Sequence, residues 1–162
     1  MDVRATFNAI VGNLEYPMFI VTARARDERL GCLVGFATQT SIDPPRFAVC
    51  LSHANRTYRH GRDVDVLGVH CVPADAPALA ELFGGETGDE VDKFARCAWH
   101  EGPEGVPLLD DCGNRFVGRV VWHEDAGDHD AYVLEPIAAD RQAGEEEFTF
   151  HRARVIEPGH AP

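Results

Sequence analysis

The sequence predicts a mainly β fold, in which antiparallel strands form a barrel or a sandwich flanked by a few helices. Apolar runs of strand length, rich in β-branched and aromatic residues, occupy positions 18–23, 30–37 and 47–52. A charged turn at 24–29 links the first two runs as a hairpin, and a short proline turn separates the second from the third. Strands that follow one another through short turns pair antiparallel, so this order favours a barrel or a sandwich.

Helices are expected where apolar residues recur with a period near 3.6. Residues 2–13 show this period, with Phe7, Ile10 and Leu14 among the apolar positions, and Pro17 ends the segment. The other expected elements are a brief helix at 58–62, a strand at 64–72, helices at 75–83 and 89–98, a loop at 99–107, a short edge segment at Leu108 and Leu109, strands at 116–122 and 131–137, an acidic loop at 143–147, a last strand at 148–155 and a frayed tail at 158–162.

Length and charge narrow the possible classes of protein. A chain of 162 residues without a repeat or linker predicts a single domain over residues 1–162 with a substantial core. The net charge is −12, which argues against non-specific attraction to nucleic acid or to an anionic membrane. An anionic cofactor is still compatible with this charge, because a phosphate needs only one or two local Arg side chains and some main-chain amides.

Cysteine usage and hydropathy predict a cytoplasmic protein. The five cysteines are widely spaced and never form a CxxC pair, so buried free thiols are expected rather than disulfides or a zinc site. The first twenty residues contain Asp2, Arg4 and Glu15 and lack a long apolar stretch, so no signal peptide is expected. No apolar run reaches the length of a membrane span.

The stretch from Gly31 to Pro45 carries the first candidate binding residues. An apolar run ending at Phe36 is followed by four hydrogen-bonding side chains at 38–41, and Asp43-Pro44-Pro45 then prevents the strand from continuing. Polar groups delivered by a buried strand suit a wall of a cofactor site. An ordinary strand and proline turn is the alternative interpretation of this stretch alone.

Two further turns carry groups that could do chemistry. Asn55-Arg56-Thr57 offers a guanidinium and a hydroxyl that suit a phosphate, although a solvated turn explains the spacing equally well. Residues 123–130 contain Asp and His side chains of the types that bind Zn²⁺ or Mn²⁺, namely His123, Asp125, Asp128, His129 and Asp130. Because they lie along one hairpin loop without a fixed ligand spacing, a turn is favoured over a metal site, and no metal is predicted.

These segments together resemble the flavin reductase family, which is built on the FMN-binding split β-barrel. The family has a Gly-Met-Thr-Ala-Ser-Ser strand, then Ser-x-Asp-Pro-Pro, then an Asn-x-x-Ser-x-Thr-like turn, and a Gly-Asp-His triplet at the start of a late strand. The matching residues here are Gly31, Thr38, Ser41, Asp43, Pro44, Pro45, Thr57, Gly127, Asp128 and His129, with Lys93-Phe94 before Trp99 matching an Asp-Arg/Lys-Phe segment. Leu33, Gly35 and Phe36 replace residues that are usually Thr or Ser.

The resemblance covers about residues 15–155 and implies a split β-barrel with flanking helices. It implies FMN or FAD as cofactor, NADH or NADPH as co-substrate, and a homodimer with flavin at the subunit interface. His129 would position or polarise the reduced nicotinamide, and Asp128 would orient it. The residues implied in cofactor binding are Gly35, Phe36, Ala37, Thr38, Gln39, Thr40, Ser41, Ser52, Asn55, Arg56, Thr57 and Lys93.

The function implied by this resemblance is hydride transfer from NAD(P)H to a flavin, with reduced flavin supplied to a partner monooxygenase. Because the cofactors perform the hydride transfer, few catalytic side chains are needed. One alternative is a flavin-binding protein without robust reductase activity, which the replaced hydroxyls favour. The other is an oxidoreductase of the same fold that uses deazaflavin or haem. The sequence leaves open the choices between FMN and FAD and between NADH and NADPH.

Overall fold

The computed structural model describes residues 2–160, and strands dominate it. The helices are α1 (Val3–Val11), α2 (Arg56–Gly61), α3 (Pro77–Gly85) and α4 (Phe150–Ala153), with 3₁₀ turns at Lys93–Arg96 and Pro103–Gly105. The strands are β1 (Phe19–Ala25), β2 (Glu28–Val34), β3 (Ala37–Ser41), β4 (Arg46–Ser52), β5 (Val66–Cys71), β6 (Trp99–Glu101), β7 (Pro107–Leu109), β8 (Arg115–Asp125) and β9 (His129–Asp140). The predicted mainly β fold with flanking helices is confirmed.

Seven of the strands form one antiparallel sheet in the order β2-β1-β5-β8-β9-β4-β3. Strands β6 and β7 form a separate two-stranded ladder. The long hairpin of β8 and β9 lies at the centre of the order, and the pairing of β4 with β9 sets Ser52 opposite His129. This register brings the end of β4 and the start of β9 to one end of the sheet.

The sheet separates two hydrophobic clusters. Val21, Leu67 and Tyr132 belong to the cluster inside the curved sheet. Ile20 and Phe83 belong to a second cluster between the sheet and α3. Successive residues of a strand point to opposite faces, so β1 is covered on both sides, which explains its unbroken apolar run.

Gly31 of β2 lies where α3 packs closely on the sheet. A methyl group added at Gly31 would lie 2.6 Å from Cε1 of Phe83 and 3.2 Å from Cζ of Phe94. We therefore expect Gly31→Ala to lower the free energy of unfolding by about 1–3 kcal/mol, measured by urea denaturation. The double variant with Phe83→Leu should lose less than the sum of the two single losses, because the smaller side chain leaves room for the methyl. A Gly31→Ala variant as stable as the wild type would contradict this packing.

Several predicted elements differ in the structure. The strand expected at 30–37 ends at Val34, and the chain starts a new strand, Ala37–Ser41, which pairs with β4 instead of β1. The break falls at Gly35, where an added Cβ would lie 3.0 Å from Cε2 of Tyr16. The loop expected at 99–107 contains strand β6, and the segment at Leu108 and Leu109 is its partner strand.

The helix predicted at 89–98 is wrong. Only the 3₁₀ turn Lys93–Arg96 forms there, because polar side chains before it engage other partners. The Asp89 carboxylate accepts hydrogen bonds from Arg56 and Arg59, and Asp92 accepts one from the Phe94 main-chain N–H at 3.1 Å. Asp side chains that bond nearby backbone favour caps and turns over helix interiors.

The last strand predicted at 148–155 is also wrong. Phe148 N–H donates to the Val72 carbonyl and Phe150 N–H to the Tyr16 carbonyl, but the pairing stops there. Pro17 and Pro73 on the facing segments form only isolated bridges, with Thr149 and Glu147. The chain instead turns into α4, and Gly159 N–H donates to the Gly84 carbonyl at 3.2 Å. The last two residues of the predicted frayed tail, 161–162, lie outside the described residues.

The N-terminal helix is present but its apolar side is exposed. The Asp2 side chain caps α1 by accepting from Arg4 N–H, and the helix ends before Gly12 instead of continuing to residue 13. Phe7 and Ile10 are 59% and 60% exposed. None of the helices within residues 2–160 has the length and apolar character needed to cross a membrane.

Candidate functional site

A cleft of about 420 Å³ opens at the end of the sheet where β4 ends and β9 begins. It is lined by the end of β2 with Gly35 and Phe36 and by residues of the C-terminal segment between Phe150 and His160. Most of its lining is apolar. The residues of the predicted site that line the cleft are Gly35, Phe36, Ser52, Asn55, Asp128 and His129.

His129 is held in one orientation within this cleft. Its Nδ1 lies 2.6 Å from Oδ1 of Asp128, and its ring centroid lies 5.1 Å from that of Phe36. The hydrogen bond with His129 holds the pKa of Asp128 below its usual value, so Asp128 is ionised near neutral pH. A carboxylate only accepts, so Nδ1 carries the proton, and Nε2 remains available to a bound molecule. The His129 side chain is 25% exposed.

A residue not predicted from sequence, His53, fixes the turn that carries His129. The His53 main-chain N–H donates to the Asp128 carbonyl at 3.0 Å, and its Nε2 lies 2.8 Å from Oδ1 of Asp130. Asp130 is 2% exposed. Burial alone would raise the pKa of Asp130, but hydrogen bonds from His53 and Tyr58 keep it below its usual value. The ionised carboxylate therefore ties the start of β9 to the end of β4.

The residues around Asp130 are also relevant to the alternative interpretation of this loop as a metal site. The five residues of the candidate metal site do not lie together, since Asp128 and His129 line the cleft. Among residues 2–160, His53, Asp125 and Asp130 bring possible ligand atoms within 4.8 Å of one another. Asp130 also has His123 Nδ1 at 3.7 Å and Arg62 Nε at 4.0 Å. A buried carboxylate surrounded by these donors is satisfied without an ion.

The predicted polar corner forms the edge strand β3. Thr38, Gln39 and Thr40 are exposed, and the Gln39 amide donates to the Ser41 carbonyl at 3.1 Å. Within the described part of the chain, no residue of β3 lines the cleft. It remains a prediction that a bound flavin contacts the residues of β3, which are Ala37, Thr38, Gln39, Thr40 and Ser41.

The predicted phosphate-binding residues lie beside the cleft. Arg56 donates to Asp89 at 2.8 Å and to Glu28 at 3.2 Å, and the bond with Asp89 raises the pKa of the guanidinium. Thr57 is 2% exposed. Lys93 is buried, which lowers its pKa, and its Nζ donates to the main-chain carbonyls of Gly31 and Phe83 at 3.2 and 3.0 Å.

Arg56, Thr57 and Lys93 line a separate cavity of about 330 Å³ that also contains several carboxylates. A narrow gap of about 30 Å³ shares Asn55 with the cleft and shares Arg56 and Lys93 with this cavity. Of the predicted phosphate group, only Asn55 therefore lines the cleft. Arg56 and Lys93 already have partners in this geometry, and their contact with a phosphate remains a prediction.

Comparison with known proteins identifies the family. Residues 11–157 match the model of the flavin reductase like domain. The chain belongs to this family. The flavin reductase-like domain accounts for nearly all of the described sheet, from β1 to the end of β9. Its Gly-Asp-His triplet stands at the start of β9, beside the cleft.

Two curated relatives illustrate this family. The chain is 26% identical over 164 residues to the ferric-chelate reductase (NAD(P)H) of Archaeoglobus fulgidus, covering 100% of this chain and 94% of that protein. It is 30% identical over 135 residues to the FMN reductase (NADH) RutF of Variovorax paradoxus, covering 83% of this chain and 74% of that protein.

Solved structures share the fold of this flavin reductase-like domain. An NADH:FAD oxidoreductase of Streptomyces globisporus, in complex with NAD and FAD fragments, matches with a TM-score of 0.81 at 22% identity and covers 94% of this chain and 90% of that one. A homolog of nitrilotriacetate monooxygenase component B from Mycobacterium thermoresistibile matches with a TM-score of 0.81 at 20% identity, covering 93% of this chain and 83% of that one.

Proposed function

We propose that this protein is an NAD(P)H-dependent flavin oxidoreductase, with FMN or FAD bound in the cleft and the nicotinamide entering beside His129. The observation that carries the proposal is the position of His129, whose Nε2 is left unbonded by the Asp128 contact and whose ring lines an apolar cleft. The volume of about 420 Å³ is within the range of small-molecule sites. Both curated relatives described above are named as NAD(P)H- or NADH-dependent reductases.

The residues present fit a flavin. Met18, Leu33 and Phe36 offer apolar contacts for a planar ring, while Ser52 and Asn55 supply polar groups at one side. A flavin supplies the hydride acceptor when it is bound there. The protein's own part is to hold the ring, to exclude water through the apolar lining, and to present His129 to the nicotinamide carboxamide.

The proposal is tested by the visible spectrum and by NAD(P)H oxidation of the purified protein. A flavin reductase takes up FMN or FAD with flavin absorbance and oxidises NADH or NADPH in air. A yellow protein without NAD(P)H oxidation would support the flavin-binding alternative, and a Soret band would support haem. The same assay with each cofactor pair settles FMN against FAD and NADH against NADPH.

A bulky side chain within the cleft tests where the flavin binds. Cys50 lines the cleft from β4, whereas Thr38 is exposed on β3 outside it. We expect Cys50→Trp to weaken flavin binding by at least about tenfold, because the indole fills volume that the ring needs. The matched variant Thr38→Trp should bind flavin within about threefold of the wild type. Loss of binding in Thr38→Trp alone would place the flavin on the edge strand instead.

We also propose a homodimer. The exposed apolar residues of α1 and the exposed Trp122 and Ile137 of the long β8–β9 hairpin support it, because monomers seldom leave such surfaces in water. Light scattering coupled to size exclusion measures the state. A mass of one chain across micromolar concentrations would contradict the dimer.

The remaining proposals concern the protein's setting. We propose one domain spanning residues 1–162, which is supported by the seven-stranded sheet that contains both β1 and β9. A cytoplasmic location is supported by five free cysteines, since reducing compartments keep thiols unpaired. A monooxygenase as the consumer of reduced flavin is supported by the fold neighbour named as a monooxygenase component.

A further inference from the structure

Arg154 stands out among the cations near the cleft. Among residues 2–160 it is the only Lys or Arg side chain that lines the cleft. Its main-chain N–H donates to the Phe150 carbonyl at 2.9 Å, but its guanidinium has no hydrogen-bond or ion-pair partner within that part of the chain. A guanidinium carries five N–H donors and stays charged at every physiological pH.

The other cations that sequence reasoning associated with a phosphate are already engaged. Arg56 is bound by Asp89 and Glu28, and the Lys93 ammonium is bound by two main-chain carbonyls. The whole chain carries a net charge of −12, so an anion in the cleft needs a local cation to offset the repulsion. Arg154 supplies that charge at the cleft itself.

The backbone that carries Arg154 is anchored on both sides. Phe150 stacks on Tyr16 with ring centroids 4.7 Å apart, and Ala153 is 7% exposed within the hydrophobic cluster beneath α3. Ile156 packs against the same cluster, and Gly159 N–H donates to the Gly84 carbonyl. Arg154 is therefore presented to the cleft from a fixed main chain, and only its side chain needs to be ordered by a ligand.

We propose that Arg154 binds the phosphate of a nucleotide held in the cleft. This inference rests on the proposed function, which supplies two such nucleotides, a flavin and a nicotinamide. Both present phosphate oxygens, which an Arg fork binds with two parallel hydrogen bonds. Arg154 takes the role that the sequence had given to Arg56 and Lys93.

The experiment compares ligands that differ only in their phosphate. FMN and riboflavin share one ring system, as do NADH and reduced nicotinamide riboside. We expect one of two phosphate preferences in the wild type. Either FMN binds about tenfold or more tightly than riboflavin, or the KM for NADH is about tenfold or more lower than the KM for reduced nicotinamide riboside. Arg154→Ala should remove one of these preferences, and which one identifies the bound phosphate.

Arg152→Ala is the matched control. Arg152 lies two residues away on α4, donates to the Ala74 carbonyl at 2.7 Å and is outside the cleft lining, so its removal changes the net charge equally. Arg152→Ala should keep the wild-type preferences for the phosphate-bearing ligands. Arg154→Lys should keep part of the preference that Arg154→Ala loses. Melting temperatures confirm that each variant is folded.

The outcomes separate the two proposals. Riboflavin and the riboside serve as readouts of ring binding, which Arg154→Ala should leave unchanged. If Arg154→Ala keeps both wild-type preferences, or if Arg152→Ala loses as much, the inference is overturned while the reductase stands. If the folded wild type binds neither flavin nor nicotinamide, both proposals are overturned.

Discussion

Replacing His129 by Ala should lower kcat/KM for NADH or NADPH by about 10- to 100-fold while flavin affinity stays within about threefold. The reason is geometric. The Asp128 contact fixes the Nδ1 proton, which leaves Nε2 available for the proposed contact with the nicotinamide carboxamide. In the proposed complex the apolar lining holds the flavin ring, so flavin affinity should not depend on His129. Stopped-flow oxidation of NAD(P)H and fluorescence titration of flavin measure the two quantities separately.

Controls distinguish a positioning effect from general damage. His100→Ala removes a half-exposed histidine that pairs with Asp110 outside the cleft, and it should leave both quantities unchanged. Asp128→Asn keeps the imidazole but replaces the carboxylate that fixes its proton, so we expect a decrease of only about two- to fivefold, because the Asp128 side chain is 89% exposed. An unchanged rate in His129→Ala would remove this residue from the proposed mechanism.

The sequence was informative wherever periodicity and pairing are local. Apolar runs and short turns were sufficient to predict β1, β4, β8 and β9. Strand β1 is covered on both faces and is therefore apolar almost throughout, whereas β9 starts with alternating buried and partly buried residues. The positions of Asp128 and His129 at the start of β9 followed from a triplet that opens a strand. The pairing of Ser52 with His129 explains why two segments far apart in sequence share one cleft.

Tertiary contacts decided the rest. The segment 148–155 has the alternation of a strand, which would turn Arg152 and Arg154 to the same side. In the folded chain this segment makes only isolated bridges to its neighbours, and its pairing ends at Phe150, where α4 begins. Arg152 then donates to the Ala74 carbonyl, and Arg154 lies at the cleft. Nothing local to the segment indicates that stop.

The partners of charged residues were also not predictable from the sequence. Arg56 and Lys93 have the composition of a phosphate site, but their partners come from β2 and α3 and from Asp89. An ion pair across a fold has no sequence spacing to reveal it. His53 was not predicted for the same reason, because its role depends on its hydrogen bond with Asp130 across the β4–β9 pair.

Acid should destabilise the protein through His70, a residue outside the cleft. His70 of β5 is 0% exposed, and burial lowers its pKa to about 4 against the hydrogen bond with Ile20. Nδ1 lies 3.0 Å from the Ile20 carbonyl and Nε2 3.1 Å from the Leu109 N–H. A carbonyl only accepts and an N–H only donates, so the neutral ring with its proton on Nδ1 satisfies both partners. A protonated ring would place its Nε2–H against the Leu109 N–H.

The sign follows from the two pKa values. The unfolded chain binds a proton on His70 near pH 6.5, but the folded chain binds it only near pH 4. The stabilisation is therefore complete above pH 6.5 and is lost as the pH falls from 6.5 to about 4, in total about 3 kcal/mol. Urea denaturation at pH 7.0 and pH 4.5 should detect most of this loss.

Acid also removes the stabilisation of the folded chain by carboxylates with a lowered pKa, such as Asp89 and Asp130. A variant at His70 is therefore needed to measure the contribution of His70 alone. His70→Gln cannot titrate and should be less stable at pH 7.0, because its amide cannot reach both the Ile20 carbonyl and the Leu109 N–H with ring geometry. Its stability should fall by about 2 kcal/mol less than that of the wild type between pH 7.0 and pH 4.5. Parallel losses in the two proteins would mean that His70 accepts a proton in the folded chain as readily as in the unfolded one.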